Sequence, residues 1–154
     1  MSNYYSLVKN NILEALNTLN HLTSNTQFEK MHDEIFMRIV NSIHSIVDYY
    51  ERLDKNIINN EEDLWFRAFS YVNNQIKHDD RLEIIYYPVC GSMFPMSFPM
   101  RFGPPGVCWK NFKDNGRKSA RGRREHYDKI LCDKDIECTL KTILKIIERI
   151  NKKL

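Results

Sequence analysis

The 154-residue sequence has little of what marks specialised protein classes. It contains only five glycines and five prolines, and 42% of its residues are hydrophobic, so the composition is that of an ordinary globular domain rather than a disordered chain. No apolar run is long enough to span a bilayer. The first residues, MSNYYSLVKNN, lack the charged start and apolar stretch of a signal peptide, which predicts a cytoplasmic protein with no membrane partner. The net charge of +3 is small, so any attraction to phosphate must come from local clusters of cations.

Familiar metal and nucleotide motifs are also missing. The sequence has no GxxxxGK[ST] or GxGxxG, which argues against the common nucleotide-binding folds. His32 and His44 lie twelve residues apart, about three helical turns, and do not form a metal pair. The four cysteines form no CxxC and match no common zinc site, so we expect reduced thiols and no cofactor; they stand at positions 90, 108, 132 and 138.

What the sequence does contain is helical periodicity. Apolar residues at steps of three and four predict four amphipathic helices. Their approximate ranges are 4–22, 27–57, 60–78 and 135–152, with Asn59 and Asn60 as a helix cap before the third. Since each helix has one apolar face, the sequence predicts an all-α, single-domain fold over 1–154, a four-helix bundle.

The periodicity is lost between about residues 82 and 127. Two short β-prone segments, IIYYPV and VCWKNF, flank a stretch interrupted by prolines and glycines, which predicts an irregular insertion with a hairpin between the third and fourth helices. The insertion is rich in Met, Phe and Trp, so we expect it to pack over one end of the bundle.

A basic cluster follows within this insertion. It comprises Lys113, Arg117, Lys118, Arg121, Arg123 and Arg124. Such a run is usually a solvated loop, but Arg and Lys beside Gly and Ser can also follow a nucleic-acid backbone. Both interpretations remain open, and the second makes these residues candidates for RNA binding.

The end of the third helix, YVNNQIKHD, carries the polar side chains best suited to chemistry. A helical wheel predicts a core face of Trp65, Phe69, Val72 and Ile76. It predicts an opposite polar stripe of Arg67, Tyr71, Asn74 and His78. This stripe is either a solvated outer face or a partner-facing surface, because Tyr and Arg are favoured at interfaces and His can move protons near neutral pH. A His at a helix C-terminus is also stabilised by the helix dipole alone.

The helical frame and the hexapeptide NNQIKH together resemble the HEPN superfamily (higher eukaryotes and prokaryotes nucleotide-binding domain). Active members combine Arg, a polar residue, several variable residues and His across a symmetric dimer into a metal-independent endoribonuclease site. The resemblance places Asn74 at the polar position and His78 at the His position, while Asn73 occupies the position of the motif Arg. It implies a homodimer that binds RNA, as in bacterial defence or toxin–antitoxin systems.

RNA cleavage in such a site needs a base for the 2′-OH proton and a cation for the charge that grows on the phosphate. His78 is the candidate base. Because Asn73 is uncharged, the cation would be Lys77, Arg67 of a second copy, or the basic cluster. The candidate catalytic residues are therefore His78, Asn74, Asn73 and Lys77, and Arg67 joins the basic cluster as a candidate for RNA binding.

A function of a different class remains open. The insertion from Phe94 to Trp109 is rich in aromatic residues, which, if exposed, would suit a non-catalytic module that binds a protein partner.

Overall fold

The computed structural model describes residues 2–79, 83–87, 106–110 and 121–154. Within these ranges the elements follow in the order α1 (Ser2–Asn20), α2 (Asn25–Arg52), a 3-10 turn (Lys55–Ile57), α3 (Asn60–Asp79), β1 (Ile84–Tyr87), β2 (Gly106–Trp109), α4 (Arg121–Ile130) and α5 (Ile136–Asn151). The described part is mainly helical with one small antiparallel sheet. The expected all-α architecture with a hairpin-containing insertion is confirmed in this outline.

Local hydrogen bonds define where the helices begin. Ser24 caps α2 by accepting from the Gln27 backbone at 3.2 Å, and Asp135 caps α5 in the same way. Before α3, Asn59 Oδ1 accepts from the Glu62 backbone at 2.8 Å, while the Glu62 carboxylate accepts from the Asn59 backbone at 3.0 Å. This reciprocal pair is a capping box, so the predicted start of the third helix is confirmed.

The second helix is shorter than the periodicity predicts. It ends at Arg52, and Leu53 has an extended backbone with φ −75° and ψ 142°. Asp54 then accepts from the Asn56 backbone at 2.9 Å, which starts the 3-10 turn. Short polar side chains such as that of Asp54 can bind backbone N–H groups that would otherwise form helical hydrogen bonds. The apolar pattern alone does not show where this ends a helix.

The hairpin is part of the core. Its two strands pair antiparallel with Ile84 opposite Trp109, and Tyr86 stacks on Phe28 of α2 at 5.8 Å between ring centroids. Trp109 is fully buried, and its Nε1 donates to Thr139 Oγ1 of α5 at 2.9 Å. The two described strands of the insertion therefore pack on the helices, and Trp109 is not an exposed aromatic available to a partner.

A fifth helix, α4, lies where the sequence predicts the end of the irregular insertion. It packs along α3, and the buried Tyr127 ring lies 5.3 Å from the Tyr71 ring. Tyr71 is consequently only 4% exposed, so its placement on an outer polar stripe is wrong. The wheel assumes one core face, whereas α3 is covered by α2 on one side and by α4 on another.

The cysteines differ in their state. Cys108 on β2 is disulfide-bonded, which corrects the expectation of a reduced thiol there, and Cys90 lies outside the described residues. Cys132 and Cys138 are free. Burial raises the pKa of Cys132 to about 11, and a hydrogen bond with Asp135 followed by burial raises that of Cys138 to about 11. Since the thiolate is the nucleophile, neither free cysteine is activated near neutral pH.

Within the described residues, no helix is both long and apolar enough to cross a membrane.

Candidate functional site

An open cleft of about 380 Å³ lies between α2 and α3. The α2 wall is formed by Val47, Tyr50 and Glu51, and the α3 wall by Arg67, Ser70, Asn73, Asn74 and Lys77. Four of the residues singled out from the sequence, Arg67, Asn73, Asn74 and Lys77, thus meet in one cleft of a single chain. The volume falls within the range of small-molecule sites, roughly 300–1,000 Å³.

Helical spacing explains why these side chains share a wall. Residues 67, 70, 74 and 77 follow one another at steps of three and four, which places them on one face of α3. Ten residues separate Arg67 from Lys77, so the two cations are about 15 Å apart along the helix axis. The hydroxyl of Ser70 and the two amides lie between them. The cleft is therefore a polar groove with a cation towards each end.

Arg67 is held in place by its neighbours. Its Nε donates to Asp63 Oδ2 at 2.6 Å, and the Tyr50 hydroxyl donates to Asp63 Oδ1 at 2.6 Å. The hydrogen bond to Asp63 raises the pKa of Arg67, while burial, followed by the same carboxylate, raises the pKa of Tyr50. The Arg67 side chain is still 54% exposed, so it can also contact a ligand.

Lys55 is a further cation beside Tyr50, but it is not among the residues that line the cleft. Its ammonium lies 3.2 Å from the centroid of the Tyr50 ring and donates to the Tyr50 carbonyl oxygen near the end of α2. Burial lowers the pKa of Lys55. Apolar periodicity does not predict this position of Lys55, because it extends the second helix through residue 57. The position of Lys55 depends on the early end of α2.

Asn73 is the unusual residue of the cleft. It is only 3% exposed, and its Oδ1 has no hydrogen-bond partner among the described residues. The large majority of buried side-chain polar atoms have a partner, and leaving one unsatisfied costs about 1–3 kcal/mol. The position that the HEPN resemblance gives to the motif Arg thus holds a buried amide whose acceptor has no partner in the part of the chain that the structure describes.

His78 lies apart from these residues. It is exposed on the last turn of α3, four residues after Asn74, and it is not among the residues that line the cleft. Residues four apart on a helix are neighbours, so His78 adjoins the Asn74 end of the cleft without entering it. Of the four candidate catalytic residues, the cleft therefore brings together Asn73, Asn74 and Lys77 but not His78.

The basic cluster can be followed in part. Lys113, Arg117 and Lys118 lie outside the described residues, as do the side chains of Arg121 and Arg123. Residues 121–124 begin α4, so a mobile loop is the wrong interpretation there. Arg124 forms an ion pair with Asp128 at 3.5 Å.

A second groove, of about 280 Å³, lies between the start of α3 and the end of α5. It is lined by Glu61, Glu62, Trp65, Thr142, Lys145, Ile146 and Arg149. Glu62 is fully buried, and its Oε1 accepts from Arg149 Nε at 2.9 Å and from Nη2 at 2.7 Å. The cap sequence predicts the role of Glu62 at the start of α3, but its pairing with Arg149, 87 residues away, has no local signal.

Comparisons with known proteins give no information on function, so a function has to be argued from the geometry of the two grooves. No protein-family model, curated protein or solved structure matches the chain. Across the described ranges, no group of three or more His, Cys, Asp and Glu side chains is arranged to hold a metal ion.

Proposed function

We propose that this chain is an RNA-binding protein of the HEPN type, a four-helix-bundle relative whose third helix carries the site. The supporting observation is that Arg67, Asn73, Asn74 and Lys77 line one polar cleft, with His78 exposed one turn beyond Asn74. Cations that bind phosphate and amides that hydrogen-bond to base edges are the two kinds of group that RNA recognition needs.

The activity that we propose for this site is metal-independent RNA cleavage. The 2′-oxygen of a nucleotide attacks the adjacent phosphorus, the 2′-O–P bond forms and the P–O5′ bond breaks. His78 takes the proton from the 2′-OH, and the departing 5′-oxygen acquires a proton from water or from a second imidazole. Lys77, one residue before His78, is the cation of the cleft nearest to this chemistry. Arg67 of the same chain lies eleven residues from His78, about 16 Å along the axis, so an Arg67 at this phosphate would come from a second copy.

A homodimer completes the proposal. Since His78 lies outside the cleft of its own chain, a second copy docked along α3 would bring another set of cations and a second imidazole to the same RNA strand. We expect a dimer by light scattering after size-exclusion chromatography.

RNA binding is tested by fluorescence anisotropy with a labelled single-stranded RNA over a range of salt concentrations. We expect the logarithm of the binding constant to fall linearly with the logarithm of salt, with a slope of about −0.7 for each phosphate contact. Replacing both Arg67 and Lys77 by Gln should reduce the magnitude of this slope by about 1.4, because two phosphate contacts are lost. A salt-independent binding constant, or no binding at low salt, would contradict the proposal.

Cleavage is tested separately, in EDTA, by following the products of a labelled RNA. His78→Ala should abolish cleavage and leave the dimer and its RNA affinity nearly unchanged. His21→Ala is a matched control, because His21 is also an exposed imidazole at the end of a helix. Equal cleavage by the wild type and His78→Ala would rule out the catalytic assignment, even if RNA binding persisted.

The alternative function, a protein-interaction module built on the aromatic insertion, gains no support from the described residues. Most of the segment from Phe94 onward lies outside them, and Trp109 is committed to the core.

A further inference from the structure

Two hydrogen bonds fix the carboxylate of Asp63 beside Arg67. Asp63 Oδ1 accepts from the Tyr50 hydroxyl of α2 at 2.6 Å, and Oδ2 accepts from Arg67 Nε at 2.6 Å. The Asp63 side chain is only 23% exposed, against 54% for Arg67, and Asp63 does not itself line the α2/α3 cleft. The carboxylate therefore acts on the cleft through the two lining side chains that it binds.

The way in which Asp63 contacts Arg67 leaves the end of the guanidinium for a ligand. A carboxylate can hold a guanidinium with both of its oxygens, but here Oδ1 accepts from Tyr50. Among the hydrogen bonds of the described residues, Asp63 takes only the Nε donor of Arg67. The two terminal nitrogens carry the remaining N–H donors in a planar fork, which matches two oxygens of a phosphate.

An arginine that is already ordered binds phosphate better than a mobile one. Ordering one long side chain on binding weakens affinity by about two- to tenfold. Asp63 meets this cost in the free protein, before RNA arrives. Its negative charge also repels phosphate, but across solvent and salt this repulsion changes affinity by only about twofold. We therefore expect the ordering of Arg67 to outweigh the repulsion.

We propose that Asp63, held by Tyr50, is a positioning residue that presents the terminal nitrogens of Arg67 as a two-pronged site for one phosphate of the RNA backbone. This inference rests on the proposed RNA-binding function and distinguishes a defined phosphate site from a diffuse positive charge. It follows that the geometry of Arg67, and not only its charge, determines affinity.

The first test compares the removal of two negative charges, with labelled single-stranded RNA as the probe and fluorescence anisotropy at constant salt as the measurement. Asp63→Ala should weaken binding about threefold, because Arg67 is no longer ordered. Glu51→Ala is the matched control, since Glu51 lines the cleft but forms no hydrogen bond with Arg67 in the described part of the chain. It should tighten binding about twofold. Tighter binding by Asp63→Ala would overturn the inference.

A variant that conserves charge tests the same point with Asp63 in place. Arg67→Lys keeps the positive charge but lacks the planar fork, so we expect it to lose affinity about tenfold, nearly as much as Arg67→Gln. Arg38→Lys is the control and should bind RNA as the wild type does. Arg38 is also a partly exposed arginine in an ion pair, with Glu14, but it does not line the cleft. Wild-type affinity for Arg67→Lys would show that charge alone matters and reject the inference.

Combined variants measure the coupling between Asp63 and Arg67. In an Arg67→Gln background, Asp63→Ala should no longer weaken RNA binding, because there is no arginine to position. Tyr50→Phe keeps the aromatic ring and all charges, so it should weaken binding less than Asp63→Ala, and only when Arg67 is present. Equal losses for Asp63→Ala in both backgrounds would mean that Asp63 acts on the fold and not on Arg67.

The free protein gives a readout that needs no RNA. In a proton–nitrogen correlation spectrum, the Arg67 Nε–H signal, assigned by its absence in Arg67→Lys, should exchange slowly with water in the wild type and rapidly in Asp63→Ala. Rapid exchange in the wild type would contradict the inference. A slow signal in a protein that binds no RNA would support the ordering of Arg67 and reject the RNA-binding function. RNA binding that is insensitive to both Asp63→Ala and Arg67→Lys would reject the positioning role and leave the RNA-binding function in place.

Discussion

The two ends of α3 each carry a buried polar side chain, and the two side chains differ in their hydrogen bonds. Near the start, Glu62 is fully buried, and both carboxylate oxygens accept hydrogen bonds, one from Arg149 and the other from the Asn59 backbone. Near the end, Asn73 is almost as buried, but its Oδ1 has no partner among the described residues. Both side chains line a groove of moderate volume.

The difference separates a buried group whose acceptors are used from one whose acceptor has no partner among the described residues. A buried charge whose acceptors are all used links α3 to α5 and leaves little for a ligand to gain. A buried amide with an unused acceptor lowers stability in the free protein and recovers that free energy when a donor arrives. The α2/α3 cleft, rather than the α3/α5 groove, is the candidate site because it is lined by Arg67, Asn74 and Lys77, which the sequence singles out.

The largest effect should come from Glu62. Glu62→Ala removes the capping box and both hydrogen bonds from Arg149, so we expect the free energy of unfolding to fall by about 2–4 kcal/mol in urea denaturation. A change below about 0.5 kcal/mol for Glu62→Ala would contradict the stabilising role of Glu62.

Asp63, which supports the cleft, should give an intermediate effect. Asp63→Ala leaves the Tyr50 hydroxyl and Arg67 without their shared acceptor, and we expect a loss of about 1–2 kcal/mol. Tyr50→Phe removes only one of the two hydrogen bonds and should cost less. If Tyr50→Phe cost as much as Asp63→Ala, the carboxylate would not be the centre of this network.

Asn73→Leu should act in the opposite direction from Glu62→Ala. Since it removes a buried polar atom that has no partner among the described residues, we expect the free energy of unfolding to stay the same or to rise by up to about 1 kcal/mol. Urea denaturation at neutral pH measures this directly. A loss of more than 1 kcal/mol would show that the amide is satisfied in solution, and the contrast with Glu62 would then disappear.

The last prediction concerns alkaline pH and Tyr49. Burial, followed by the nearby Tyr5, raises the pKa of Tyr49 from 10.0 to about 12. Between these values the unfolded chain has lost the proton that the folded chain keeps, so stability falls as pH rises from 10 to 12 by at most about 1.4 kcal/mol per pH unit. Below pH 10 this contribution is fully present.

Thermal unfolding at a series of pH values should show a shallower decline for Tyr49→Phe than for the wild type. Some decline should remain, because burial also raises the pKa of Tyr127. Identical slopes in the two proteins would mean that the Tyr49 hydroxyl reaches solvent.

Much of the helical frame is predictable from local pattern. Four helices, the cap at Asn59 and the hairpin follow from apolar periodicity, short polar side chains and β-prone segments, which are properties of neighbouring residues. Helix α4 is not predicted in this way, because its sequence RGRREHYDKI is mostly charged and contributes Tyr127 and Ile130 to the core. The misplacement of Tyr71 has the same origin, since it is α4 that covers that face of α3.

The sequence by itself determined that Arg67, Asn74 and Lys77 share a face of α3, because the helical repeat fixes which residues are neighbours. Only the tertiary structure decided that Asn73 is buried with no partner for its Oδ1 among the described residues, that Asp63 and Tyr50 hold Arg67, and that Glu62 pairs with Arg149. Those facts depend on the packing of α2 and α5 against α3, which brings together residues distant in the chain. The pattern of neighbouring residues does not predict which residues far apart in the chain come into contact.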